Sequence, residues 1–399
     1  LKPNILFVDD EPNIIEGQKR YLWKLKGKWI IYFAESGEEA LQIMKNFQID
    51  CVIADMRMPH MNGAELLEIV KRDYPQAIRI ILTGHSDQEA ILNTVNLAHQ
   101  FFVKPCNLDQ LLESIDRTLK IREGVGRRKL EEIIPEMSSI RSMPDLSMQL
   151  MKELNNVDVS MKRLCEILSQ DIIMTAEILK IINSAFFGLP HRVNNVQHAI
   201  NLLGVKIIKA LAVYTNIFAS FTEEKDIVIY DHIRTHSLET ARLAKRIAAE
   251  AGMSKEFSET CFTAGLLHDI GKLPVLRSSK YADEIKKYMR QEDCGFFEAE
   301  LKIMGINHTV IGAYILSMWG LPQEIIETVC YHHFPSEAED QTLSPLTFVH
   351  IANEIVSCKN LAGVESLPFI DMEYLNKFNL IGSLQSFIDI YKSESQEMI

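Results

Sequence analysis

The stretch "NILFVDD", residues 4–10, is a short unbroken apolar run that ends in two aspartates. Continuous apolar character over so few residues suits a strand buried on both faces, since a half-buried strand would alternate with polar residues. Four more runs of the same kind follow: "WIIYFAES" (29–36), "DCVIADM" (50–56), "IRIILTG" (78–84) and "QFFVKP" (100–105). Helical patterns separate them, such as "GAELLEIVKRDYP" (63–75) and "DQEAILNTVNLA" (87–98), and "DQLLESIDRTLKIR" (109–122) closes the series. Buried strands alternating with helices predict one compact α/β domain over 1–122, a doubly wound five-stranded parallel sheet.

In such a sheet, ligands bind at the carboxyl ends of the strands. The runs deliver Asp9, Asp10, Asp55, Thr83 and Lys104 to those ends. Three carboxylates converging there would repel one another, so a hard divalent ion is the expected occupant, and Mg²⁺ suits a site with few carboxylates. Asp55 is then a reasonable nucleophile for a phosphoryl group, with Mg²⁺ and Lys104 spreading its charge and Thr83 donating a hydrogen bond. Unrelated strand-end caps would explain any one of these residues, but hardly all of them at matching positions.

Past residue 122, "EGVGRRKLEE" (123–132) reads as a linker, placed at 123–135. Strand signals then fade. Helical periodicity runs through "TAEILKIINSAFFG" (175–188), "VQHAINLLGVKIIKALAV" (196–213) and "HSLETARLAKRIAAEAG" (236–252), with Gly188 and Gly204 as helix stops. An all-helical domain is expected over 136–355, followed by a helical extension and tail over 356–399. In the tail, "LQSFIDIYKSESQEMI" (384–399) suggests a short helix and a frayed polar end.

A length of 399 residues accommodates two or three domains, and the net charge of -12 argues against a general nucleic-acid or anionic-membrane surface. No basic recognition helix of a helix-turn-helix occurs near the C-terminus. The most apolar later run, "IIKALAVYTNIFASF" (207–221), is too short and too polar to span a bilayer. No signal-peptide pattern precedes Asn4, and the seven cysteines show no C-x-x-C spacing. A soluble cytoplasmic protein with neither DNA nor membrane as partner is the expectation.

Seven of the twelve histidines lie between 232 and 350. His232 and His236, at i and i+4, can share one helix face. The neighbours His268-Asp269 and His332-His333 diverge by about 100° on a helix, so each pair suits two metals, or one metal and an outer partner. Imidazole with carboxylate favours Fe, Mn or Zn. A lone histidine on an apolar helix is more often a hydrogen-bonded core residue, and His191, His198 and His350 read that way. His308 could equally be a helix-start residue.

Family resemblance sharpens both halves. "ILFVDDEPN", "DCVIADMRMPHMNG", "IILTGHSD" and "FFVKPCNLDQL" closely resemble a bacterial response-regulator receiver domain, a flavodoxin-like fold. The resemblance implies phosphorylation of Asp55 by a sensor histidine kinase and Mg²⁺ bound by Asp9, Asp10, Asp55 and the carbonyl of Arg57. It also implies that Thr83 and Phe101 rearrange on phosphorylation, and that Arg57 and His85 influence the acyl phosphate's lifetime. The shift would alter how the face built from 87–98, the fifth strand and the closing helix meets the linker, the helical domain or a second copy in a homodimer.

The helical half resembles the HD superfamily of metal-dependent phosphohydrolases, and more closely its HDOD subgroup. "NSAFFG", "AINLLG", "LLHDIGKL" and "GINHTVIGAYILSMWGLPQEIIETVCYHH" carry the likeness. By the superfamily pattern, His236, His268, Asp269, His308, His332 and His333 hold one or two metals and Lys272 faces a substrate phosphate. Asn353 in "FVHIANEI" stands where the superfamily has its closing Asp. HDOD domains are regarded as output or interaction modules that have mostly lost the phosphohydrolase residues. The related HD-GYP domains hydrolyse cyclic di-GMP, but "YHHFPSEAED" (331–340) contains no Gly-Tyr-Pro. The expected function is thus a response regulator whose HDOD domain binds a downstream signalling protein. The competing expectation is a phosphorylation-gated phosphohydrolase acting on a nucleotide or phosphodiester.

Overall fold

The computed structural model describes residues 2–25, 27–84, 97–125, 158–183, 192–214, 224–278, 280–358 and 361–397, with isolated positions between 129 and 153. His85, most of 87–98, most of the 123–135 linker, the stretch 186–188 and His191 lie outside the described residues.

The five apolar runs form strands β1 (Asn4–Val8), β2 (Ile30–Ala34), β3 (Cys51–Asp55), β4 (Ile78–Thr83) and β5 (Gln100–Val103). They make one parallel sheet in the order β2-β1-β3-β4-β5. Because successive side chains point to opposite faces, each strand feeds two cores. Ile5, Phe7, Ile53, Ile80 and Leu82 pack with Leu111, Ile115 and Leu119 of the helix Leu108–Val125. Leu6, Val8, Val52, Ala54 and Ile81 face the other way, in one cluster with Leu66, Leu67 and Val70 of the helix Gly63–Asp73. Double burial is why the runs are unbroken. The register sets Val8 beside Ala54, Asp55 beside Leu82 and Thr83 beside Val103, which gathers the strand ends at one edge.

The remainder is helical. The helices that build the histidine region are Glu224–Glu250, Lys255–Leu267, Lys272–Arg277, Phe296–Met304, His308–Met318, Gln323–Tyr331 and Pro345–Ser357. Gly204, at φ 70°, interrupts Val196–Tyr214, and the helical path resumes directly after it. The C-terminal segment is more structured than its sequence suggested. Leu384, Phe387 and Ile388, spaced i, i+3, i+4, form the buried face of a helix running Leu384–Glu397. With Tyr374 and Leu375 they complete a second core against Leu243, Ile247, Phe348 and Ile351.

The two halves share an interface. The helix His308–Met318 lies against the helix Leu108–Val125, and Tyr314, Ile315 and Met318 belong to the same apolar cluster as Ile81 and Phe101 of the sheet. Among the described residues no helix is long and apolar enough to cross a membrane.

Candidate functional site

At the strand ends, Asp9 follows β1, Asp55 ends β3, Thr83 ends β4 and Lys104 follows β5. The Lys104 ammonium bridges two carboxylates, 2.6 Å from Asp9 Oδ2 and 2.6 Å from Asp55 Oδ1. The Arg57 amide donates to Asp55 Oδ2 at 3.1 Å, which keeps the peptide after the strand beside that carboxylate. Asp9 Oδ1 accepts from the Glu11 amide at 3.0 Å. Asp10 is partly buried, and Thr83 and Phe101 are fully buried, Phe101 in the core that reaches the helical half. Behind Asp55 the helix Gly63–Asp73 approaches so closely that a Cβ on Gly63 would stand 2.2 Å from the Asp55 carbonyl oxygen. A side chain there would push the acceptor out of line.

Burial pushes the Asp55 carboxyl up, and Lys104 opposes that rise without cancelling it. For Lys104, burial works against the charge, but Asp55 and Asp9 outweigh it and raise the ammonium pKa. Asp9, Asp10 and Asp55 carry three negative charges against a single ammonium, and their donors are all oxygen. That donor set fits Mg²⁺.

The second constellation converges on Asp269. His308 Nε2 lies 3.2 Å from Asp269 Oδ1 and His332 Nε2 3.8 Å from it. His268 Nε2 is 3.4 Å and His236 Nε2 3.7 Å from Asp269 Oδ2. Two ligand sets of metal-binding dimensions result: His236, His268 and Asp269, and His308, His332 and His333. His333 joins through its Nε2, 3.3 Å from His308 Nε2.

Backbone carbonyls select the tautomers. His268 Nδ1 bonds the Gly265 oxygen at 2.7 Å and His332 Nδ1 bonds the Val329 oxygen at 3.0 Å. Each Nδ1 must therefore carry a proton, and in the neutral ring the lone pair sits on Nε2, aimed inward. Both Nε2 atoms are buried without a hydrogen-bond partner. Orphaned imidazole nitrogens around a shared carboxylate fit one or two ions of the Fe, Mn or Zn type. Burial, followed by the neighbouring imidazoles, holds His332 well below the usual histidine range, and burial brings His333 down to about 2. Neutral rings are the form that ligates.

Lys272 Nζ is 2.5 Å from Asp269 Oδ2 and stands over the Phe296 ring. Asn353 is in the site, its Oδ1 3.1 Å from His236 Nε2. His232, by contrast, is exposed and outside both ligand sets. His350 is a core residue: Nδ1 donates to the His332 carbonyl at 2.8 Å and Nε2 accepts from the Asp371 amide at 2.9 Å. His198, read from sequence as core, is exposed because it falls on the polar face of its helix, opposite Ala199 and Ile200.

One residue of the site was not anticipated. Glu300 is fully buried, and its Oε2 accepts from both His308 Nδ1 at 2.6 Å and the His308 amide at 3.1 Å. A glutamate eight residues before a histidine, inside "FFEAELKIM", carries no periodic signal that separates it from a solvated helix face.

Comparison with known proteins assigns the two regions separately. The response regulator receiver domain model matches residues 5–116, and the HDOD domain model matches residues 140–335. A curated relative, the DNA-binding transcriptional regulator NtrC of Proteus hauseri, is 32% identical over 141 residues, covering 35% of this chain and 29% of that protein. The chain spans less than half the length of the curated relatives it matches first. Among solved structures, a virulence factor from Campylobacter jejuni shares the fold, with a TM-score of 0.51 at 18% identity over 66% of this chain and 96% of that one. The MmoQ response regulator from Methylococcus capsulatus aligns at 20% identity and a TM-score of 0.46, over 59% of this chain and 96% of its own.

Proposed function

Since the chain joins a response-regulator receiver domain to an HDOD domain, we propose that it is a phosphorylation-controlled signalling protein whose helical half is a binding module. Asp55 accepts a phosphoryl group from a phosphodonor such as a histidine kinase: its carboxylate oxygen attacks phosphorus, and the new O–P bond forms as the donor's P–N bond breaks. Lys104, which already bridges Asp9 and Asp55, turns its charge to the phosphoryl oxygens. The Arg57 amide keeps one Asp55 oxygen oriented, and Thr83 donates to the phosphoryl group. Mg²⁺ held by Asp9, Asp10, Asp55 and the Arg57 carbonyl would neutralise charge on the transferred group. The observation that carries this reading is the single ammonium shared by Asp9 and Asp55. Incubation with Mg²⁺ and acetyl phosphate should add one phosphoryl group per chain by intact mass and none to Asp55→Ala; label that survives in the variant would place the acceptor elsewhere.

Asn353 favours a binding module over an enzyme. An amide in place of a carboxylate removes an anionic ligand, weakening metal affinity and changing the charge of any activated water. A second reading, a metal-dependent phosphohydrolase gated by the receiver, is favoured by the orphaned nitrogens of His268 and His332. Elemental analysis of purified protein tests the second reading first: a chain that takes up no Fe, Mn or Zn with His236 and His268 intact has no hydrolytic centre, whereas bound metal leaves turnover to decide between the two.

A further inference from the structure

The HDOD match ends at residue 335, yet the chain continues through the helix Pro345–Ser357 and a segment that folds back on it. That continuation reaches the histidine cluster from behind. His332 caps the helix Gln323–Tyr331, so its carbonyl lies past the helical ladder and needs a donor from elsewhere. His350 supplies it: Nδ1–H donates to the His332 oxygen at 2.8 Å, and Nε2 accepts from the Asp371 amide at 2.9 Å. Because Nε2 is the acceptor, the ring is neutral with its proton on Nδ1. The imidazole is fully buried and joins the Asp371 main chain to a residue whose own Nε2 faces the Asp269 carboxylate.

The Asp371 side chain holds the loop on the other side of His333. Its Oδ1 accepts from the Tyr374 amide at 2.9 Å, capping the helix Met372–Asn376, and its Oδ2 accepts from Ser336 Oγ at 2.6 Å. Ser336 stands three residues after His333, in the short turn Pro335–Glu337. Its carbonyl accepts from the Gln341 side-chain amide at 2.6 Å, and Lys377 donates to the Gln341 oxygen in turn. The segment is itself anchored. The Tyr374 hydroxyl meets Thr347 Oγ1 at 2.8 Å in the core, and Glu354 takes a hydrogen bond from the Phe369 backbone. His350, Asn353 and Glu354 lie at i, i+3 and i+4, so one face of a single helix touches His332, His236 and the returning segment.

We propose that His350 and Asp371 are positioning residues for the ligand pair His332-His333, and that the segment 369–377, which the family match does not cover, is a structural part of the metal centre. The inference rests on the cluster being metal-competent. A ligand helix that ended freely at Tyr331 would let both imidazoles swing with its last turn. Tied at the His332 carbonyl and at Ser336, the two rings meet an ion already in place.

Two amides dissect the His350 ring in the full-length protein, with Co²⁺ as the metal and its visible absorption as the readout. An asparagine amide reaches the place of Nδ1, and a glutamine amide that of Nε2. His350→Asn still donates to His332 and should keep the wild-type Co²⁺ spectrum and an affinity within about twofold, whereas His350→Gln should shift the spectrum and lose roughly tenfold in affinity. Two variants that match the wild type, that are impaired equally or that fall in the reverse order overturn the positioning role of His350, because packing alone does not favour a donor at Nδ1. The exposed Ser336 tests the second tie. Without metal, Ser336→Ala should speed hydrogen–deuterium exchange over 332–341 about fivefold; unchanged exchange overturns the role of Asp371. Wild-type protein that takes up no Co²⁺ ends the metal-competent reading and the positioning role with it, while the metal-free exchange still decides whether the segment holds the loop.

Discussion

The strand-end pocket gathers carboxylates around a shared ammonium, the histidine cluster gathers imidazoles around a shared carboxylate, and the two are built in opposite ways. In the pocket, the bridging group is Lys104, a flexible cation that can leave Asp9 and Asp55 for an arriving phosphoryl group. In the cluster, the rings are held in place: His268 and His332 are each pinned through Nδ1 to a carbonyl three residues back, and His308 is pinned by the buried Glu300 carboxylate. A pocket built on a mobile cation suits a transient modification. A preorganised set of lone pairs suits a resident ion. Beside His236 the cluster carries the Asn353 amide rather than a carboxylate, and the comparison turns on that amide.

The largest expected effect lies at Asp269. Its carboxylate is buried among four imidazoles and Lys272, and burial, which would raise its pKa, is outweighed by His268 and Lys272, which hold it well below the usual range. Asp269→Ala removes the partner they share and should cost about 3–5 kcal/mol, read as a lower midpoint in denaturant titration; an unchanged midpoint would mean the cluster contributes nothing to the fold. Next comes Asn353→Asp, which restores an anionic ligand beside His236. Metal affinity should rise roughly 10–100-fold, measured by chelator competition, whereas equal affinity would show that position 353 is not a ligand position. Glu300→Gln keeps an acceptor for His308 Nδ1–H but loses its charge, so affinity should fall only about tenfold. A loss as large as that of His308→Ala would make Glu300 a ligand in its own right. The Asp55→Asn exchange should leave all these metal affinities within about twofold in the absence of phosphodonor, because the two sites communicate only through the state of the receiver.

Much of this was legible in the sequence, for identifiable reasons. Double burial wrote the strands as unbroken apolar runs, and the chemistry of the strand ends followed from the parallel topology. Histidine and aspartate are rare enough in apolar helices for His268, Asp269, His308 and His332 to stand out. Glu300 did not, because a buried glutamate in an amphipathic helix looks like its solvated neighbours until the fold folds it back on His308. Gln100 was equally invisible: a polar residue opening a strand reads as a boundary, and only the tertiary contact shows its amide donating to the Ser317 and Met318 carbonyls at the end of another domain's helix. The Leu384–Glu397 helix was underestimated for a different reason, since its i, i+3, i+4 apolar triad was present but diluted by the polar residues after Tyr391.

Turnover by the metal-loaded wild-type protein bears most directly on whether the helical half is a binding module. Fe-, Mn- and Zn-loaded protein would be assayed against phosphomonoesters, phosphodiesters and nucleotides, with and without phosphorylation, alongside His268→Ala. A binding module should bind metal yet show no turnover that His268→Ala removes. Turnover that disappears in His268→Ala would contradict it and make the phosphorylation-gated hydrolase the correct reading.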